Sequence, residues 1–218
     1  MKFRQHLISL TDINIEQKYV RETYSKIAEH FDKTRVIIWK KVGEFLDNVK
    51  PNSLVLDAGC GNGKNMKRKD VIFIGMDIEP QFCKIAKDNT NCETVQGSLT
   101  NIPFDDNLFD HIICIAVIHH LSSIERRKEA IREIIRVLKP NGTALITAWK
   151  ASDSQQDYLV EWKLTGKYDI GDKEIIYRYY HKFIENEFSS LCEDLNVNII
   201  EIGEENDNYY IVIEKNKS

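Results

Sequence analysis

The sequence predicts an α/β fold built on a doubly wound, mostly parallel sheet, and three observations carry that expectation. Short β-rich runs alternate with segments of helical periodicity: SLVLD (53–57), VIFIGMD (71–77), CETVQ (92–96), FDHIICIAV (109–117) and TALITAW (143–149). The first run ends in a glycine-rich turn, LDAGCGNGK. Two last runs, VNIIEI and YYIVIE, close the chain and are expected to add an antiparallel edge to the parallel sheet.

The elements follow in order. Val20, Tyr24, Ile27, Ala28 and Phe31 fall on one face of a first helical pattern, and Ile38, Val42, Phe45, Leu46 and Val49 on one face of a second, which Pro51 stops. The clearest crossover helix runs from about Ile124 to Leu138, with Ile131, Ile134, Ile135 and Leu138 inward. On its outer face Glu125, Glu129 and Glu133 each precede a base by three residues. After Trp149 the alternation lapses into a polar stretch to about Ile176, and a helix follows from about Ile184.

With 218 residues, 42% hydrophobic and 29% charged, the chain fits one globular domain. Within it, residues 1–50 supply helices over the site, 51–149 a cofactor-binding core, 150–183 a substrate-side insertion and 184–218 a final helix and strands. MKFRQHLISLTDIN has no apolar core of signal-peptide length, and no window approaches the ~18 apolar residues of a membrane helix, so an intracellular protein with no membrane partner is expected. The five cysteines form no CxxC pair and sit within apolar patterns, which favours reduced structural thiols over disulfides or a metal site. A net charge of −4 argues against broad binding of nucleic acid, DNA included, and leaves room for a local basic patch.

In such a sheet ligands sit beyond the carboxyl ends of the strands, where strand order reverses. Gly59, Gly61 and Gly63 let the backbone turn sharply there, and Asp77, at the end of the second strand, suits the two hydroxyls of a ribose. Lys64 stands where a dinucleotide fingerprint has its third glycine, and Asp57 is an anion beside the loop that would face a pyrophosphate. S-adenosylmethionine has no phosphate and carries an ammonium for an acidic loop to receive, so it is the expected cofactor.

LVLDAGCGNGK, GMDIEP, NIPFDDNLFDHIICI and REIIRVLKPNGTALI resemble the successive motifs of class I methyltransferases over roughly residues 51–149. That resemblance implies a Rossmann-like, seven-stranded sheet with helices on both faces, and a cofactor held by Asp57, Gly59, Gly61, Asp77, Ile78, Leu99 and Ala116. The family often has an acid near the adenine amine where this chain has Ser98, so Ser98 or the Leu99 backbone is the expected adenine contact. In IAVIHHLSS the adjacent His119 and His120 lie just past the fourth strand. In extended chain they would point to opposite sides, which disfavours a shared metal and puts one in the pocket and the other toward core or helix; His119 is taken as the pocket residue.

Three further segments, EQKYVRETYSKIAEHFDKTRVIIWKKVGEFL, IAVIHHL and RYYHKFIENEFSSLCEDL, extend the similarity over nearly the whole chain. They resemble the eukaryotic transfer-RNA methyltransferases that esterify 5-carboxymethyluridine at the wobble position. That family transfers methyl from S-adenosylmethionine to a carboxylate and works as a heterodimer with a small zinc-binding activator, which implies a cytoplasmic protein, with the nucleus a second compartment. A carboxylate with a pKa near ~4 is already ionised at neutral pH, so alignment and charge handling replace a general base. Arg35 and Arg178 are the candidate carboxylate forks, His119 and His181 the further candidate catalytic groups, and His30, Trp149 and Tyr179 the expected substrate walls.

Lys64 and Lys67, in a basic run with Arg68 and Lys69, are the expected phosphate contacts, whereas Arg126, Arg127 and Lys128 read as a solvated helix face. The activator is expected to pair with the third strand, Cys92–Gln96, at the outer edge of the sheet, beside whichever of Phe82 and Ile85 stays exposed. A small-molecule methyltransferase of the same fold and a non-catalytic cofactor-binding scaffold are the alternative readings.

Overall fold

A computed structural model describes residues 11–153, 155–164 and 175–217. The expectations for residues 1–10, and for the centre of the polar stretch at 165–174, lie outside the described residues.

The main sheet has seven strands in the order β3-β2-β1-β4-β5-β9-β8. β1 (Leu54–Ala58), β2 (Ile72–Asp77), β3 (Glu93–Gln96), β4 (Phe109–Ile115) and β5 (Leu138–Trp149) are mutually parallel. β8 (Val197–Glu205) and β9 (Asn208–Lys215) form the antiparallel edge, β9 running against β5. The edge position expected for the third strand holds.

Both faces of the sheet are covered, and the two-residue period of the strands sorts their side chains into two cores. Leu56, Ile112 and Ile146 pack on one face with Ile131 and Ile134 of α5 (Ile124–Val137). Val55, Ile113 and Leu145 pack on the other with Val42 and Leu46 of α3 (Lys40–Asp47). α4 (Pro80–Thr90) opens on proline after a Glu79 N-cap, whose side chain accepts from the Gln81 N–H, and closes on left-handed Asn91. α1 (Asp12–Glu16) passes through a π-turn, Gln17–Arg21, into α2 (Glu22–Thr34), so the first helical pattern is one continuous helical segment.

Three expectations need correction. The stretch after Trp149, where no strand was expected before about Ile176, contains β6 (Asp157–Trp162), which pairs antiparallel with β7 (Ile176–His181) apart from the main sheet. The helix expected from Ile184 is the six-residue α6 (Glu187–Cys192), because Phe183 exchanges backbone hydrogen bonds with Trp149 and Ala151 and holds the chain extended. Arg127, expected on a solvated face, is buried beneath β7 and donates to the Leu121 carbonyl.

Candidate active site

A cavity of about 710 Å³ opens at the carboxyl ends of β1, β2 and β4, walled by α2 and β7. That is ample for a nucleoside-sized ligand. At its floor the Gly59 and Cys60 N–H groups both donate to the Met76 carbonyl (2.7 and 2.9 Å), folding the loop back against β2. Gly59 has φ +91°, and a Cβ there would stand 2.3 Å from Val117 Cγ2, so no other residue fits.

Asp77 sits at the rim, where its Oδ2 accepts from the Gly61 N–H and its Oδ1 from the Glu79 N–H, both at 3.0 Å. Burial pushes its carboxyl up to about 6 even against those two amides. Each oxygen keeps a lone pair for a further donor, which is what vicinal hydroxyls supply. Asp57 differs from expectation: it is fully buried beneath the loop, off the cavity wall, and neither oxygen has a hydrogen-bond partner among the described residues. Burial raises its carboxyl to about 7, with Asp77 adding to the rise and Asn65 and Lys64 opposing it. The cavity wall expected to include Asp57 therefore does not include it.

Ile78, Ser98, Leu99 and Ala116 all line the cavity. Ser98 is tied into its own turn, its Oγ 3.0 Å from Thr100 Oγ1. Ala116 adopts a left-handed φ of +60°, held there by its N–H donating to Thr147 Oγ1 at 2.8 Å. A glycine cradle, a rim carboxylate with spare lone pairs and the apolar side chains of Ile78 and Leu99 fit S-adenosylmethionine.

His119 and His120 both line the cavity, which corrects the expectation of one in and one out. Ile118–His120 is a 3₁₀ turn rather than extended chain, so the two rings splay 85° apart with centroids at 4.5 Å. Their tautomers follow from their partners. His119 Nδ1 accepts the Trp149 N–H at 3.1 Å, so the ring hydrogen is on Nε2. His120 Nδ1 faces the Tyr179 carbonyl at 2.8 Å and must donate, leaving Nε2 to accept from the Tyr24 hydroxyl at 2.9 Å. Burial drives both rings down, His119 well below the usual imidazole range and His120 to about 3, so both are neutral.

Arg178 is only 5% exposed, and its Nε has no hydrogen-bond partner among the described residues. Its guanidinium lies over Trp162 and Tyr180, at 4.4 and 5.0 Å from the ring centroids. Arg35 stands at the mouth, 5.3 Å from the same Trp162 ring. Trp149 lines the cavity and stacks on Tyr180, planes 6° apart at 4.1 Å. Lys64 also lines it, donating to the Ile37 carbonyl (3.1 Å), and burial lowers its pKa.

Besides Asp57, four expected site residues lie off the cavity. Tyr179 and His181 point away from the cavity because alternation along β7 presents Arg178 and Tyr180 instead. His30 is buried behind the wall, its Nδ1 accepting from Trp162 Nε1 at 3.0 Å. Lys67 is exposed and off the cavity. Its neighbour Arg68 caps the end of α3 through the Leu46 and Val49 carbonyls and pairs with Asp70. The sequence reading missed Tyr24, Tyr180 and Trp162. Tyr180 was within reach, since it shares a strand face with Arg178; Trp162 was not, because β6 itself went unrecognised.

Residues 56–146 match the methyltransferase-domain family. A tRNA (carboxymethyluridine(34)-5-O)-methyltransferase of Schizosaccharomyces pombe is 35% identical, the alignment covering 94% of this chain and 100% of that one. The chain belongs to this methyltransferase family. The Arabidopsis thaliana protein of the same name is 44% identical over 71% of the chain, and there the chain spans 38% of the relative's length. Among solved structures, S-adenosylmethionine-dependent methyltransferase from Methanosarcina mazei aligns with TM-score 0.67 at 18% identity, covering 80% and 98% of the two chains. A Haloferax volcanii methyltransferase solved with the Trm112 activator gives TM-score 0.70 at 16% identity, covering 91% and 98%. The fold is that of the class I methyltransferases, and S-adenosylmethionine is the cofactor.

Proposed function

We propose that the protein transfers the methyl group of S-adenosylmethionine to the carboxylate of 5-carboxymethyluridine at the tRNA wobble position, the activity in its relatives' names. The observation that carries this reading is Arg178, a buried cation whose Nε has no partner among the described residues, in a cavity whose two histidines are neutral. A buried guanidinium with no acid partner among the described residues calls for an anionic ligand.

When bound, S-adenosylmethionine supplies an electrophilic methyl group on a sulfonium. Everything else falls to this chain. Asp77 and the Gly59–Gly63 loop fix the nucleoside end, and Arg178 holds the acceptor carboxylate by its fork. His119 Nε2–H is a fixed donor toward the same space, and the Tyr24 hydroxyl, spent on His120, presents only lone pairs. No base is required, because the acceptor is already ionised. Esterification removes the charge that Arg178 holds, which favours release of the product. The test is methyl transfer from labelled cofactor to tRNA carrying 5-carboxymethyluridine, against the same tRNA carrying the neutral amide.

For the nucleic acid, Arg21, Arg35, Lys64, Lys150, Arg178 and Lys182 line the cavity against Glu16, Asp77 and Asp207, so the mouth is basic in an acidic chain. That rim suits the phosphates flanking a splayed-out base. For the partner, a small zinc-binding activator on the β3 edge is supported by β3 being outermost in the sheet, and by the activator found with the Haloferax volcanii neighbour. Phe82 is buried against Tyr24 and Phe31, so the half-exposed Ile85 is the apolar side chain of α4 left for such a partner.

A further inference from the structure

Behind β7, on the side away from the cavity, lies a group of charges that the chemistry above does not use. His181 presents Nδ1 to Asp157 Oδ1 at 3.1 Å and Nε2 to Glu187 Oε1 at 2.9 Å. Arg127 pairs with the same Glu187 oxygen at 3.3 Å, and the Tyr179 hydroxyl donates to Asp157 at 2.5 Å. Two cations and two carboxylates make the group neutral. His181 and Arg127 are buried and Glu187 nearly so, with Asp157 at the solvent edge. A neutral imidazole has one N–H and cannot donate to two carboxylates, so this geometry belongs to the imidazolium.

The group joins three parts of the site. β6 contributes Asp157, β7 contributes Tyr179 and His181, and Arg127 reaches the Leu121 carbonyl, which follows the His119–His120 turn directly. On the opposite face of β7, one residue to either side, are Arg178 and Tyr180. We infer that Asp157, His181, Glu187 and Arg127 form a charge-balanced bracket in which the protonated His181 is a positioning residue, setting the place of Arg178 relative to the histidine turn, so that carboxylate recognition weakens when His181 loses its proton. This rests on the proposed function for the identity of the carboxylate, and on the bracket geometry alone for the pH response.

The other groups around the ring are accounted for. Burial opposes the charge on His181, but Asp157 and Glu187 outweigh it and raise the pKa, against Arg127. His119 lies close enough to feel the His181 charge, and its own fall in pKa keeps it neutral. Gln156 Nε2 donates to Glu187 Oε2 at 3.1 Å and stands 3.4 Å from His181 Nε2, ready to donate to the ring once the proton is gone. The acceptor is ionised throughout the neutral and alkaline range, so the methyl transfer contributes no alkaline limb of its own.

The experiment follows turnover on tRNA carrying 5-carboxymethyluridine between about pH 6 and about pH 9.5, with cofactor affinity measured in parallel and the His181 ring and Arg178 Nε–H observed by NMR. The expected result is a KM for tRNA that rises about tenfold over the alkaline limb with unchanged cofactor affinity, in step with deprotonation of His181. His181→Gln should show the raised KM at every pH and no limb. Glu187→Gln, a gentler change, should move the limb to lower pH. A flat profile in the wild type, or a His181 ring already neutral at pH 7, overturns the bracket while leaving the proposed function standing. If the tRNA is not methylated at any pH, the NMR signals decide alone: an Arg178 signal that follows the His181 titration supports the bracket, and one indifferent to it sinks the idea.

Discussion

Arg178 lies 4.4 Å above the ring of Trp162, and Trp162 in turn is held by its Nε1–H donating to His30 Nδ1. The residue expected on the cavity wall, His30, thus acts one layer back, fixing the indole on which the arginine rests. The Trp162 and Tyr180 rings hold the guanidinium by cation–π contact, and its buried Nε has no hydrogen-bond partner among the described residues.

Arg178→Lys keeps the charge and loses both the stack and the fork. Turnover on the carboxylate tRNA should fall by about tenfold or more, with cofactor affinity unchanged. Arg35→Ala, at the mouth, should raise KM for tRNA and spare the maximal rate. Steady-state kinetics with labelled cofactor checks both; full turnover in Arg178→Lys would place the carboxylate elsewhere.

Asp77→Ala removes the acceptor for two hydroxyls and the partner of two backbone amides. Cofactor binding should weaken by about 1–3 kcal/mol in calorimetric titration. Unchanged affinity would take Asp77 out of the site.

Asp57 sets a pH dependence. Its folded pKa of about 7 stands above its ordinary value, so the folded state favours the neutral acid. Below pH about 4 both states are protonated and nothing is lost; as pH climbs to about 7 the unfolded chain ionises first and stability falls. Asp57→Asn should therefore raise Tm at neutral pH and leave it unaltered near pH 4, by thermal melts. Because Asp57 and Asp77 interact, the wild-type titration will belong to the pair.

The β3 edge gives a directional test. The Gly97 N–H donates inward to the Asp77 carbonyl, so alternation turns the Thr94 N–H outward. Thr94→Pro should cut co-purification with the activator and leave cofactor binding intact. Undiminished complex formation by the folded variant would put the partner on another face.

The strands that build the cofactor half were legible because they are short β-rich runs, the first two of them apolar and ended by Asp57 and Asp77, patterns that depend on neighbours in sequence. Gly59, Gly61, Asp77, Ile78, Ser98, Leu99 and Ala116 accordingly line the cavity as expected. The substrate half was read less well. DYLVEW carries no clean alternation, so β6 passed for polar chain, and with it went Trp162 and the phase of β7 that separates Arg178 from Tyr179 and His181.

By itself the sequence determined the fold class and the cofactor loop, since periodicity and turn chemistry are local properties of the chain; Arg178 was one of two candidate arginines, and the edge position of β3 followed from the strand order such a fold usually takes. Tertiary structure decided which way the histidines face, that Asp57 lies beneath the loop rather than on the wall, and that His181 belongs to a bracket behind the site. Those outcomes depend on burial and on hydrogen-bond partners brought together from residues far apart, such as Trp149 for His119 and Glu16 for Arg126. Desolvation and pairing act through space, and the order of residues along the chain does not record them.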